Sequence, residues 1–285
     1  MDEFGTALLT HGFLQAALLA GLLASVGCGI AGTYVVVKRI GFLAGGIAHA
    51  VLGGMGAALY FGVDPMRGAL VAALAAALVV GWITLRFREH EDTLISAFWA
   101  VGMAIGVLFI ARTPGYAVDL MSYLFGNILL VPREDLWLMA GLDGVLLLTV
   151  AVLRRPLLAV AFDEEFARLR GLPVTLLYLL LLCLVALTVV LLIRVVGLIL
   201  VIALLTLPAA IAAQHATTLG RIMVLAVVLG SLFTTGGLAL SYGPDLPAGA
   251  TMILLAGVAY LVSTVLQRWL QRRRTHVPAT TGGGT

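Results

Sequence analysis

The segment LPVTLLYLLLLCLVALTVVLLI occupies residues 172–193 and contains no charged side chain. A run of about 20 mostly apolar residues forms a helix long enough to cross the hydrocarbon core of a bilayer. Windows of the same kind recur along the chain and predict an all-α polytopic membrane protein with about nine transmembrane helices, eight at the least. The predicted helices lie at about residues 13–37, 40–63, 68–85, 93–111, 136–153, 172–193, 195–214, 222–241 and 248–267.

The composition indicates that most of the chain lies in a lipid bilayer. Of its 285 residues, 62% are hydrophobic and 11% are charged, with a mean hydropathy of +1.13. A soluble domain has roughly 25% charged residues, so this chain has too few to cover a surface that faces water. Soluble enzymes, fibrous proteins and β-barrels with alternating strands are excluded. The pI near 9.1 does not indicate a nucleic-acid partner, because the location of the basic residues matters more in a membrane protein.

The basic residues predict the orientation. Of the 17 Lys and Arg residues, one side of the predicted bundle has Lys38, Arg39, Arg86, Arg88, Arg154, Arg155, Arg168, Arg170, Arg221, Arg268, Arg272, Arg273 and Arg274. The positive-inside rule makes that side cytoplasmic, with the N-terminus outside and the C-terminus inside. We expect a single permease-sized membrane domain over 1–270, a re-entrant or interfacial segment at 119–131 that is too short to span, and a disordered tail at 275–285.

The chain lacks the motif of an ATPase. Its one lysine, Lys38, is followed by Arg39, so no GxxxxGK[ST] phosphate loop exists. We therefore predict that the chain is not itself an enzyme, and that energy for any transport comes from a partner subunit or an ion gradient.

An imidazole lies at membrane depth in the second predicted helix. Helical spacing places Gly45, His49 and Gly53 on one face, with Gly46 and Gly54 beside them. Glycines allow close approach by another helix or by a cargo. Neutral imidazole is the commonest transition-metal ligand in proteins, so His49 is a candidate for the metal path. The alternative is an interhelical hydrogen bond or a packing role.

Carboxylates are scarce inside the predicted spans. Asp143 in the fifth helix is the only one we place there, and it is a weaker path candidate, a proton-relay group or a structural partner for a hydroxyl. On the outer side, Asp119 and Asp245 are weak candidates for docking a delivery protein.

The loop between the fifth and sixth helices predicts a short amphipathic helix over 162–171. Asp163 is a plausible N-cap, and the charges follow the helix dipole, acidic first and basic last. Its charged residues are Asp163, Glu164, Glu165, Arg168 and Arg170; its apolar stripe is Phe162, Phe166 and Leu169. Such a short helix needs a surface to pack on, which is the headgroup boundary, its own bundle or a cytoplasmic partner.

Five stretches in this order resemble the membrane subunit of the zinc/manganese-type ABC importer family. They are Gly46 to Leu52, Asp119 to Leu129, Phe162 to Ala167, Val196 to Ala210, and Ser241 to Gly249. The resemblance covers about residues 13–267 and implies a type II ABC importer-like bundle.

The resemblance also implies partners and a location. It implies a homodimeric permease in a prokaryotic inner membrane, two cytoplasmic ATPase subunits that bind ATP, and an extracytoplasmic metal-binding protein. It further implies that 162–171 is the coupling helix that inserts into the ATPase. The resemblance also implies that no cofactor is bound permanently and that zinc or manganese passes through transiently.

The chain departs from the family at the expected ligands. Family members commonly have an Asp four residues before the intramembrane histidine, where this chain has Gly45, and some have a histidine near residues 99–102, where this chain has none. His49 is then the one ligand candidate transferred from the family. Histidine with few carboxylates favours zinc over manganese, with iron a further possibility.

Two other functions remain open at this stage. One is a proton-coupled secondary transporter that uses His49 and Asp143. The other is a membrane scaffold subunit without a transport path.

Overall fold

A computed structural model describes residues 2–86, 91–113, 126–244 and 246–275. Across these ranges the chain is helical and has no strand. Several predicted features lie outside the described residues: Asp119, Asp245, the first part of the 119–131 segment, and the tail from residue 276.

Twelve α-helices are numbered here in chain order over the described residues. They are α1 (Asp2–Thr10), α2 (Gly12–Val37), α3 (Gly41–Tyr60), α4 (Pro65–Arg86), α5 (Glu91–Arg112), α6 (Arg133–Val152), α7 (Arg154–Phe162), α8 (Glu164–Leu169), α9 (Val174–Val196), α10 (Leu198–His215), α11 (Leu219–Tyr242) and α12 (Ala248–Thr275). A short 3-10 helix, Ile128–Leu130, precedes α6.

Nine of the described helices are long and apolar enough to cross a membrane: α2 to α6 and α9 to α12. Each corresponds to one predicted window, so the predicted polytopic helical fold is confirmed. Two short helices were not predicted. Helix α1 is too short to produce a membrane-length window, and α7 follows directly on α6 after Leu153.

Helices α2 and α9 form the centre of the bundle. Helix α2 packs against α6, α9, α10 and α11, while α9 also contacts α3 and α4. Small residues permit these approaches: a Cβ at Gly32 would collide with the Leu205 backbone of α10, and one at Gly29 would lie 2.8 Å from the Val227 backbone nitrogen of α11. Close backbone contact through small residues is the usual way in which membrane helices associate.

Helix α3 lies between α4 and α5 and contacts both through glycines. A Cβ on Gly53 would lie 2.8 Å from the Gly102 carbonyl oxygen of α5, and one on Gly54 would collide with Gly68 and Ala72 of α4. These positions fix the depth and rotation of α3, and therefore the position of His49.

We predict that Gly54→Ala lowers the stability of the bundle by about 1–3 kcal/mol, because the added methyl group has no room against α4. Gly141→Ala in α6 is the matched control, since no atom lies within 4 Å of its built Cβ. Thermal unfolding of the detergent-solubilised chain measures both. Equal melting temperatures for the two variants would contradict this account of the packing.

Candidate metal path and docking surface

His49 lies near the middle of α3, and a hydrogen bond to Gly45 determines which of its ring nitrogens carries the proton. Its Nδ1 is 2.7 Å from the Gly45 carbonyl oxygen. A carbonyl oxygen only accepts hydrogen bonds, so Nδ1–H is the donor and neutral His49 presents an unprotonated Nε2. This is the tautomer in which a histidine binds a metal through Nε2.

An indole from α5 covers the imidazole. The ring centroids of His49 and Trp99 are 3.9 Å apart with planes inclined by 30°, and Trp99 also lies near Phe42. Trp99 falls in the 99–102 region in which a second histidine was sought. It was missed because only ligand-type residues were considered; an aromatic residue facing a glycine-flanked histidine is the signal that could have found it.

The glycine face of α3 meets a helix. Gly45 faces Trp99 and Gly53 faces Gly102, so α5 occupies the surface that the sequence left open to either a helix or a cargo. Gly46 lies against Ile95 of the same helix, and Gly54 against α4. All four glycines therefore contribute to packing around His49, and a role in lining the path stays a prediction.

Asp143 is buried in α6, with 7% of its surface exposed, against a different pair of helices. A Cβ on Gly27 of α2 would lie 2.7 Å from Asp143 Oδ1 and 3.6 Å from Thr188 Cγ2 of α9. The Thr188 hydroxyl donates to the Leu184 carbonyl oxygen of its own helix. Among the described residues, Asp143 Oδ2 has no hydrogen-bond partner, and the role of Asp143 stays a prediction.

The structure gives His49 and Asp143 separate neighbours. His49 contacts α5, whereas Asp143 faces α2 and α9. Across the described residues, no three His, Cys, Asp or Glu side chains form a group that could hold a metal ion. Within one described chain, His49 is thus a single-ligand position, and a resident four-coordinate site would need further groups.

A cavity of about 270 Å³ opens where α3 ends and α4 begins. Met55, Asp64 and Met66 form part of its wall. Asp64 Oδ1 accepts a hydrogen bond of 2.6 Å from the Met66 N–H, so this carboxylate caps the first turn of α4. The sequence pattern did not single out Met55 or Met66.

The predicted helix over 162–171 is shorter than expected. Phe162 is the last residue of α7, and Asp163 is extended at φ −150° and ψ 101°, so α8 spans only Glu164–Leu169. Asp163 Oδ1 accepts a 2.9 Å hydrogen bond from the Phe166 N–H, which is the predicted N-cap. Gly171, at φ +74°, closes the segment.

The apolar stripe of this segment is not covered by its own bundle. Phe162, Phe166 and Leu169 are 63%, 47% and 88% exposed, while Ala167 faces inward. The Arg170 guanidinium lies 4.8 Å from the centroid of the Phe166 ring. We call Phe162, Phe166 and Leu169 the docking stripe.

A buried lysine joins α8 to the centre of the bundle. Lys38, which follows α2 and is 7% exposed along its side chain, places Nζ 2.7 Å from Glu164 Oε1. The same Nζ donates to the Val160 carbonyl oxygen at 2.9 Å and lies 5.1 Å from the centroid of the Tyr178 ring. The sequence pattern did not predict this pairing of Lys38, because nothing local indicates a partner 126 residues away.

Comparison with known proteins gives the family. The model of the ABC 3 transport family matches residues 10–267. The chain belongs to the ABC 3 transport family. It is 48% identical over 268 residues to an uncharacterized membrane protein of Synechocystis sp., a match that covers 94% of this chain and 95% of that protein.

Two further matches involve metal transport or a solved structure. The manganese transport system membrane protein MntC of Halalkalibacterium halodurans is 32% identical, over 91% of this chain and 89% of its own length. The solved structure of PsaBC from Streptococcus pneumoniae in complex with Fab is similar with a TM-score of 0.85 and 30% identity, covering 95% of this chain and 99% of that chain. The chain is thus a multi-pass permease subunit of the metal-transporting ABC importer type, which confirms the expected family.

We predict that Trp99→Ala raises the reactivity of His49, because the indole shields one face of the imidazole. Carbethoxylation of the detergent-solubilised chain by diethyl pyrocarbonate, followed site by site with peptide mass spectrometry, gives the rate at His49. Trp137→Ala in α6 is the control, since that indole is 80% exposed. An unchanged His49 rate in Trp99→Ala would contradict the shielding.

Proposed function

We propose that this chain is the permease subunit of an ATP-driven importer whose cargo is a divalent transition metal, with zinc as the first candidate. The observation that supports the proposal most directly is His49, whose Nε2 is left free at membrane depth by the bond from Nδ1 to Gly45. Imidazole nitrogen suits zinc, whereas manganese prefers oxygen ligands. Gly45 provides no carboxylate beside it.

Manganese is the second candidate, because several relatives bear that name. These include the manganese import system permease protein ScaB of Streptococcus parasanguinis, at 32% identity. Iron is a more distant option.

We further propose that two copies enclose the path, each contributing α3 and His49. One imidazole per chain would then become two facing ligands. We place the N-terminus outside and the C-terminus in the cytoplasm.

For coupling, we propose that the docking stripe seats in a cytoplasmic ATPase subunit that binds ATP, one for each permease. Movement of α8 would pass through the Lys38–Glu164 pair to the junction of α2 and α3. Helix α3 begins at Gly41, eight residues from His49 and therefore about 12 Å along the helix axis. Glu165 and Arg168, which are exposed on α8, would contribute polar contacts at the rim.

An extracytoplasmic metal-binding protein would deliver the cargo at the opposite end. We keep Asp119 and Asp245 as weak candidates for that contact, on sequence grounds alone.

The permease in complex with its ATPase, reconstituted in liposomes with the binding protein, tests the path. We expect His49→Ala to lower ATP-dependent zinc uptake at least about tenfold, because the Nε2 ligand is lost. His215→Ala is the control: that imidazole contacts Ser263 at the far end of α10. Normal zinc uptake in His49→Ala would remove His49 from the path, and uptake of manganese alone would overturn the choice of zinc.

The same liposomes separate the other functions. Uptake by the permease alone, driven by a pH gradient, would support a proton-coupled carrier that uses His49 and Asp143. Absence of uptake under every condition, with the complex assembled, would support a scaffold.

We predict that Phe166→Asp weakens ATPase binding by at least about 2 kcal/mol, since it places a charge in the middle of the docking stripe. Copurification and a titration of the ATPase against the detergent-solubilised permease measure the loss. Arg268→Asp is the control, because it adds the same carboxylate to an exposed position of α12 away from the stripe. Unchanged copurification of Phe166→Asp would show that the stripe is not the docking surface.

A further inference from the structure

A second cavity lies next to the docking stripe and shares Phe162 with it, but the rest of its wall has no role in the proposed transport cycle. Its volume is about 880 Å³, and it is bounded by the end of α6, by α7 and by the start of α11. The walls are mostly apolar and include Leu147, Val150, Leu158 and Met223. Leu147 and Leu158 are exposed on the bundle surface, so the cavity opens towards the membrane side of the helices.

The mouth of this cavity is positive. Arg154 and Arg221 form part of it, and within the described chain neither guanidinium makes an ion pair. Helix α11 also begins here. Its N-cap residue, Thr218, makes no side-chain capping bond, so the first amide groups of α11 keep unsatisfied donors at the positive end of the helix dipole. A Cβ built on Gly220 meets no atom within 4 Å, which leaves the backbone there open to a ligand.

A buried tyrosine of α2 also borders this cavity. Tyr34 of α2 is 1% exposed and forms part of the cavity wall, yet its hydroxyl has no hydrogen-bond partner. Buried polar groups are nearly always hydrogen-bonded, so an unpartnered donor beside two unpaired guanidinium groups indicates an anionic ligand.

We propose that this cavity binds one anionic phospholipid of the adjacent leaflet. The phosphate would accept hydrogen bonds from Arg154, Arg221, the first amides of α11 and the Tyr34 hydroxyl. The part of an acyl chain nearest the headgroup would pack against Leu147 and Leu158. The cavity combines apolar walls with basic residues at its mouth. This combination fits a lipid better than a soluble anion, because a soluble anion has no acyl chain to occupy the apolar part. A partner protein could fill the cavity only by inserting apolar side chains between α6 and α11.

Native mass spectrometry of the full chain, titrated with phosphatidylglycerol or phosphatidylcholine in neutral detergent, tests the proposal. We expect one retained phosphatidylglycerol and a clear preference for it. Arg154→Gln and Arg221→Gln should each weaken its binding about fivefold, and about thirtyfold together. Tyr34→Phe should weaken it about fivefold through the lost hydrogen bond. Arg155→Gln is the control, since Arg155 is exposed next to Arg154 but does not form part of the cavity wall.

Thr218→Asp separates binding from folding. The new carboxylate caps α11 and preserves or raises thermal stability, but it occupies the amides and repels a phosphate, so lipid binding should fall. An equal loss in Arg155→Gln, equal retention of phosphatidylcholine, or full displacement by inorganic phosphate would each overturn the lipid site. Displacement of the bound lipid on assembly with the ATPase would also overturn it, in favour of a protein contact.

Discussion

Close approach of α3 to α4 and α5 is the constraint on which the candidate path depends. In a bilayer the apolar lipid gives no hydrophobic driving force for helix association, so van der Waals contact between backbones has to supply it. Gly53 and Gly54 face opposite neighbours, and neither has room for a methyl group. The rotation of α3 is therefore fixed, and His49 is held against Trp99 on the α5 side.

The contact between Lys38 and Glu164 follows from the cost of burying a charge. Lys38 is nearly inaccessible, and an unpaired ammonium there would be strongly unfavourable. Glu164, the Val160 carbonyl oxygen and the Tyr178 ring together offset that cost. As a result, the position of α8 is coupled to the end of α2, while its apolar stripe stays on the surface. A segment held on one side and exposed on the other is suited to transmit a displacement.

The sequence predicted the fold well because membrane thickness sets the length of a spanning helix, and apolar windows of that length are visible in the chain. It also predicted the N-cap of Asp163, which depends on residues three positions apart. It did not predict the Lys38–Glu164 pair or the His49–Trp99 stack, since both join residues distant along the chain. The short helices α1 and α7 were missed because neither reaches membrane length. The sequence shows that Gly45 stands where family members commonly have an Asp. It does not show that Trp99 faces Gly45.

The sparse ligand set agrees with a conduit better than with a storage site. A pathway must bind its ion strongly enough to admit it and weakly enough to release it. One imidazole per chain, outside any group of three or more His, Cys, Asp or Glu side chains among the described residues, would bind an ion weakly. If two copies face each other, two imidazoles still leave a zinc ion two ligands short of a closed tetrahedral site, to be completed by water. In the proposed path the close Trp99 ring would limit how much water surrounds His49, and it would thereby influence how long an ion stays.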